Sequence, residues 1–196
     1  YLHSGGNQTG SSGEVSGAEI ARQLGCVFVG VEYRLGLLGW NCLPALCPAD
    51  DDTGNFALLD MAKALDWVKE NIAAFGGDGQ NVTLFGFSAG SRDALALLAS
   101  PLGEGRFQRV VACSGGMTLA DPGESAQSIA AALAPLAVED GKARTAAAAQ
   151  NWLLTSDPAV RDWLCGVEAA RLAAKMAGAN LRMGAFPHLY ADGVTL

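Results

Sequence analysis

The chain has 196 residues, half of them apolar and only 17% charged, a length and composition that suit one globular domain with a sizeable buried core. Thirteen basic against twenty acidic residues leave a net charge of −7, which disfavours nucleic acid or an anionic membrane surface as a partner. No apolar run reaches the ~18 residues of a membrane span.

In chain order, residues 3–13 (HSGGNQTGSSG) predict a loop and residues 14–24 a short helix. Residues 26–31 (CVFVGV) form a continuous apolar run, the pattern of a strand buried on both faces. Residues 34–52 predict a long irregular stretch ending in Asp50, Asp51 and Asp52, three adjacent carboxylates that read as a solvated face rather than a calcium site. From 53 to 73, Leu58, Ala62, Leu65, Val68 and Ile72 recur at steps of three and four and make one helical face, ended by Gly76 and Gly77. Residues 82–87 (VTLFGF) predict a second buried strand, 89–99 a deeply buried helix and 109–113 a third strand. Residues 118–183 are alanine-rich and read as helical throughout, with Asp157-Pro158 as a helix start. Alternating strands and helices imply a parallel α/β sheet flanked by helices, with 118–183 as a helical cover inside one domain spanning 1–196.

Cys26 and Cys113 lie in apolar runs and are expected to be buried thiols; Cys42 and Cys47 share a loop at a spacing that permits a small disulfide. None has zinc-like spacing with a histidine, so no metal site is expected. Trp67, Trp152 and Trp163 sit among apolar neighbours and are expected in the core. Asn7 and Asn81 begin glycosylation sequons, one beside a glycine loop and one entering a strand, so neither makes a convincing sugar site.

The chemistry concentrates in Gly86-Phe87-Ser88-Ala89-Gly90, between a predicted strand and a predicted helix. A serine on so sharp a turn needs glycine two residues before and after it, and its hydroxyl then projects above the sheet as a nucleophile. The N–H of Ala89 opens the next helix and points toward an oxyanion formed at Ser88, with the helix dipole adding to the field. The loop His3-Ser4-Gly5-Gly6-Asn7 is the second element: Gly5 and Gly6 let backbone N–H groups approach a developing oxyanion with no side chain in the way. Each motif alone is weak, but together, at the ends of separate buried strands, they define an acyl-transfer site.

These motifs resemble the type B carboxylesterases, the family that includes cholinesterases and neuroligins. His3 to Gly6 is similar to that family's oxyanion loop, Val31 to Gly36 to its tyrosine-arginine-leucine-glycine segment, and Gly54 through Ile72 to its long helix. Phe75 to Asp78, Asn81 to Gly86, Ser114-Gly115, and Pro187 with Asp192-Gly193 also match family landmarks. The resemblance implies an α/β-hydrolase fold, a serine acyl-enzyme mechanism on a small-molecule carboxylic ester, and no cofactor. The chain departs from the pattern at Phe87, where the family has glutamate, at Ser4 and Gly79, and at Ser91-Arg92-Asp93 after the elbow.

A serine nucleophile works with a histidine base and an orienting carboxylate, which in this fold follow the serine. His3 precedes Ser88 and is expected to pack locally; His188 adjoins a landmark that comes before the family's acid and histidine. The start at Tyr1 and the end at Leu196 both read as cut. The acid and base are therefore expected beyond Leu196 or from a partner chain, and this chain alone is expected to turn over negligibly. Tyr33 and Arg34 are expected to be structural, the arginine in an internal ion pair. The rival reading is a cholinesterase-like binding or adhesion module without catalysis.

Overall fold

The computed structural model describes residues 1–47, 53–176 and 189–196. They form two compact units: Tyr1–Leu35, Ala57–Thr118 and Thr195–Leu196 make the first, and Gly36–Phe56 with Leu119–Val194 the second.

The first unit is built on parallel strands. β1 (Thr83–Phe87) pairs with β2 (Arg109–Cys113) in the register Thr83 opposite Arg109 through Phe87 opposite Cys113. Leu2 makes parallel bridges to Gly86 on one side and Val31 on the other, so the order across the sheet is Val31, Leu2, β1, β2. Its backbone N–H donates to Phe85 O (2.8 Å) and its carbonyl accepts from Phe87 N–H (3.3 Å). Helix α1 (Gly17–Leu24) starts where Ser16 accepts the Glu19 N–H and stops at Gly25, which adopts the left-handed φ of 61° that glycine reaches without a Cβ clash. After α2, the single turn Gly36–Gly39 of the second unit, comes α3 (Phe56–Asn71), continued by a 3₁₀ turn to Phe75. The predicted stripe is its buried face: Leu58, Ala62, Leu65, Val68 and Ile72 all lose their solvent, joined by Met61. Each full burial of such a side chain is worth roughly 1.5–3 kcal/mol. The helix begins at Phe56 rather than Thr53 because the Thr53 hydroxyl accepts the Asn55 N–H (2.9 Å), a local turn that competes with helix. α4 (Ala89–Ala99) leaves the end of β1 and packs on both strands.

The second unit is helical: α5 (Pro122–Glu139), α6 (Ala146–Leu153), α7 (Pro158–Gly166) and α8 (Ala169–Met176). α5 and α7 open as Asp-Pro, with Asp121 accepting from Glu124 N–H (2.8 Å) and Asp157 from Ala159 N–H (2.9 Å). The core of this unit joins Leu43, Ile129, Leu133, Leu136, Leu153 and Val160, all without measurable exposure or nearly so. Asp140 ties it together by accepting from Trp163 Nε1 (2.9 Å) and Arg171 Nη2 (2.7 Å). Asn55 pairs with Tyr190 reciprocally, its amide donating to Tyr190 O (3.0 Å) and its Oδ1 accepting Tyr190 N–H (2.9 Å).

Several expectations are corrected. Residues 26–31 are extended but only Val31 enters the sheet, and Cys26, Val27 and Gly30 are exposed. An apolar run signals burial only if something packs on both sides, and among the described residues this segment meets a neighbour on one side. For the same reason β2 is largely exposed, and Cys113 is half-buried. The ends of β1 are exposed too: Leu84 and Gly86 are buried, Thr83 and Phe87 are not. Trp67 is 45% exposed, on the outer side of α3, whereas Trp163 is buried and Trp152 half-buried against it. The segment after 118 is not helical throughout: α5 to α8 are separated by turns. Cys42 and Cys47 are separate thiols; Cys42 Sγ donates to Pro122 O (3.2 Å), and burial pushes that thiol up to about 12. Asp50, Asp51, Asp52, Pro187 and His188 lie outside the described residues. Among those described, no helix is long and apolar enough to cross a membrane, and no cluster of His, Cys, Asp or Glu could hold a metal ion.

Candidate active site

Ser88 sits where β1 turns into α4, at φ 53° and ψ −113°, a conformation that L-residues avoid and that persists only when its surroundings over-determine it. The determinants are backbone bonds. Its N–H donates to Cys113 O (2.8 Å) on β2, and its carbonyl accepts from Ser91 N–H (3.1 Å) and Arg92 N–H (3.2 Å). The side chain does not cap the helix, and among the described residues the hydroxyl has no hydrogen-bond partner. The flanking glycines are required by contact. A Cβ on Gly86 would lie 2.1 Å from Gly90 O, and one on Gly90 would lie 2.2 Å from Leu2 O and 2.7 Å from His3 O. The second of these contacts brings the two predicted motifs together: the strand carrying the glycine loop presses against the first turn of α4.

That loop is a tight turn. Gly5 (φ 109°), Gly6 (φ 64°) and Asn7 (φ 60°) all take left-handed backbone, and Gly5 O accepts the N–H groups of Gln8 and Thr9, both at 3.1 Å. A Cβ on Gly5 would meet Thr9 O at 2.0 Å, so only glycine fits; a Cβ on Gly6 would meet nothing within 4 Å, so this side of the loop is open. The N–H groups of Gly5, Gly6 and Ala89 donate to no partner among the described residues. Ala89 is the first residue of α4, where N–H groups lack an intrahelical acceptor and the helix field favours negative charge.

The loop is pinned from three sides. His3 is fully buried, its ring stacked on Tyr33 (centroids 4.5 Å apart) and its Nδ1 2.7 Å from Ser4 O, so it packs locally as expected. Its Nε2 has no hydrogen-bond partner among the described residues and lies 3.9 Å from the Glu32 carboxylate. Glu14 accepts from the Ser4 N–H (2.6 Å) and from the Ser4 hydroxyl. Desolvation pushes the Glu14 carboxyl up, but these bonds and one from Tyr1 outweigh it and hold the group below the usual carboxylate range. Deepest of all, the fully buried Asn7 donates from Nδ2 to Asp93 Oδ1 (2.9 Å), while the Tyr33 hydroxyl donates to His3 O (2.8 Å) and approaches Asn7 Oδ1 (3.4 Å). Burial pushes the Asp93 carboxyl up to about 7, against the opposing pull of the Asn7 bond and the Arg92 charge. Arg34 pairs with Asp60 (2.8 Å), as a half-exposed rather than internal pair.

The sequence alone marks Asn7 only as a sequon and Asp93 only as a departure after the elbow. The signal that points to them is Ser91-Arg92-Asp93 in the first turn of a helix that must be buried: three polar side chains there require partners. A cavity of about 890 Å³ is lined mainly by apolar residues of α1, α3, β1 and the 24–31 segment, with Asp78 and Asn81 at its edge, and not by Ser88 or the glycine loop.

A strained serine at a strand-to-helix turn, with a glycine loop whose strand packs on the first turn of the following helix, is the arrangement found in α/β folds of the serine-hydrolase class. The chain belongs to the carboxylesterase family, whose model matches residues 1–152. It is similar to the para-nitrobenzyl esterase of Bacillus subtilis (40% identical over 144 residues, 72% of this chain and 29% of that protein). It is also similar to the fumonisin B1 esterase of Sphingopyxis macrogoltabida (43% over 118 residues, 58% of this chain and 22% of that protein). Among solved structures it superposes on a thermophilic PNB esterase with a TM-score of 0.80 at 32% identity, covering 100% of this chain and 38% of that one. A carboxylesterase of Geobacillus stearothermophilus gives 0.79 at 30%, again over 100% of this chain and 38% of that one. The fold is that of the α/β-hydrolases, and the chain spans well under half the length of these relatives.

Proposed function

We propose that this chain carries the nucleophile and oxyanion-hole portion of a serine carboxylesterase acting on small-molecule carboxylic esters. The Ser88 Oγ attacks the ester carbonyl as its proton passes to a histidine base. The carbonyl oxygen becomes an oxyanion, which takes hydrogen bonds from the N–H groups of Gly5, Gly6 and Ala89. The tetrahedral adduct expels the alcohol, which leaves with the proton from the imidazolium, and Ser88 is acylated. Water, deprotonated by the same imidazole, releases the carboxylic acid and restores the serine. Each oxyanion donor in such a site is worth on the order of 3 kcal/mol of transition-state stabilisation.

The observation that carries this reading is the Ser88 turn, with φ 53° and, among the described residues, no partner for its hydroxyl or for the N–H groups of Gly5, Gly6 and Ala89. His3 is unsuited to the role of base, since its ring is buried against Tyr33 and bonded to Ser4 O. We assign the base and its carboxylate to residues outside those described, in further sequence of the same protein or in a partner chain; the greater length of the relatives supports that assignment. The reaction takes no cofactor, and the net charge of −7 disfavours nucleic acid as a partner.

The test is fluorophosphonate labelling of the full-length polypeptide that carries this sequence, with the modified residue located by mass spectrometry and Ser88→Ala as the control. Labelling at Ser88 that the variant loses supports the esterase. A polypeptide that binds esters or protein partners but never labels would replace it with the non-catalytic binding-module reading.

A further inference from the structure

We propose that Asp93 is a positioning residue: acting through the Asn7 side chain, it holds the 3–9 loop in the geometry that directs the Gly5 and Gly6 N–H groups toward the Ser88 reaction centre. The proposal rests on the esterase reading for its catalytic meaning, but the anchoring itself is a property of the fold.

A carboxylate in a helix that packs on a sheet is costly without partners. Asp93 is fully buried on α4, and one of its oxygens, Oδ2, has no hydrogen-bond partner among the described residues. Its hydrogen bond goes to Asn7, 86 residues away in sequence, in the middle of the glycine loop. That bond does two things. It holds a non-glycine residue at φ 60°, where it otherwise carries a conformational penalty. It also fixes the amide orientation: with Nδ2 committed to the carboxylate, Oδ1 faces the Tyr33 hydroxyl, which donates to His3 O. The chain Asp93, Asn7, Tyr33, His3 therefore grips the loop at residues 3 and 7, and Gly5 and Gly6 lie between the two grips. Gly5 and Gly6 carry no side chain that could anchor them, so a loop that must aim two N–H groups needs its flanks held. The ionisable groups that face Asp93 are Arg92 on its own helix and the Tyr33 phenol across from it. Arg92 is itself buried.

Asn and Asp differ at position 93 in charge but not in the acceptor that Asn7 requires. In the full-length protein, Asp93→Ala is expected to raise hydrogen exchange of the 4–9 amides about tenfold. It should lower kcat for a p-nitrophenyl ester about 10- to 100-fold with KM changed little, because oxyanion contacts act in the transition state. Asp93→Asn should restore both to within about threefold, because its amide oxygen still accepts from Asn7. Unchanged loop exchange in Asp93→Ala overturns the proposal. So does loss of loop protection in Asp93→Asn when its thermal transition stays cooperative. A wild-type protein that neither labels at Ser88 nor hydrolyses esters refutes the esterase reading alone, since the exchange comparison still decides whether Asp93 anchors the loop.

Discussion

Replacing Gly90 with alanine adds one carbon where the chain leading into the glycine loop meets the first turn of α4. Its Cβ would lie 2.2 Å from Leu2 O, 2.5 Å from Leu2 C and 2.7 Å from His3 O. A relaxed C···O contact is about 3.3 Å, so the strand carrying Leu2 must retreat by about 1 Å. Retreat strains the two bonds that hold it to β1, Leu2 N–H to Phe85 O and Phe87 N–H to Leu2 O. Each such bond is worth about 1 kcal/mol, and overpacking adds about 1–3 kcal/mol, giving a loss of about 3–5 kcal/mol in unfolding free energy. The same displacement carries the glycine loop away from Ser88, and an error of that size is expected to slow fluorophosphonate labelling about 100-fold. Gly116→Ala is the control, since a Cβ there meets nothing within 4 Å, and its stability should stay within about 0.5 kcal/mol of wild type. Urea unfolding and labelling rates on the two variants make the comparison. If Gly90→Ala matches Gly116→Ala in both, the approach of the loop strand to α4 does not govern the site, and the reasoning fails.

Gly6→Ala separates folding from chemistry: its Cβ enters open space, so only the left-handed φ costs stability, about 1 kcal/mol, while labelling of Ser88 should fall at least about tenfold. Glu14 has its carboxyl held below its usual range in the folded protein, so the stability it contributes is present above the unfolded value of 4.5 and is lost as pH falls through the folded one. Thermal melts from pH 3 to 7 should therefore show a shallower acid decline in Glu14→Gln than in wild type. Leu133→Ala, in the core of the second unit, should lower unfolding free energy by about 2–5 kcal/mol by denaturant titration, with the Ser88 site used as a check that labelling per folded molecule is unchanged.

The elbow was legible because it is local. A buried strand, a G-x-S-x-G turn and a buried helix follow one another within residues 83–99, and periodicity and glycine spacing report on neighbours in sequence. The stripe on α3 was legible for the same reason, and so were the Asp-Pro starts of α5 and α7. What escaped is what depends on distant partners. Residues 26–31 are apolar enough for a two-sided strand, but composition cannot say which segment lies alongside, and the structure gives them a neighbour on one side. The Asn7–Asp93 bond joins residues that no window spans, and both side chains read singly as unremarkable polar residues. Trp67 shows the converse: aromatic content and apolar neighbours suggested burial, while its place on α3, off the 58–62–65 stripe, puts it outside.

The position of Leu2 between Val31 and β1 bears on how the molecule acquires its site. Leu2, near the start of this segment, bridges Val31 on one side and Gly86 of β1 on the other, and the second partner is not made until residues 83–87 are in place. Parallel pairing across so long an intervening stretch is slow, because loop closure must precede the contacts that reward it. The glycine loop, tied to Leu2 at one end and to Asp93 through Asn7, thus takes its final form only after the serine turn has been laid down. Both halves of the proposed site are therefore expected to form together, and a chain interrupted before residue 83 is expected to hold neither the serine turn nor an anchored glycine loop.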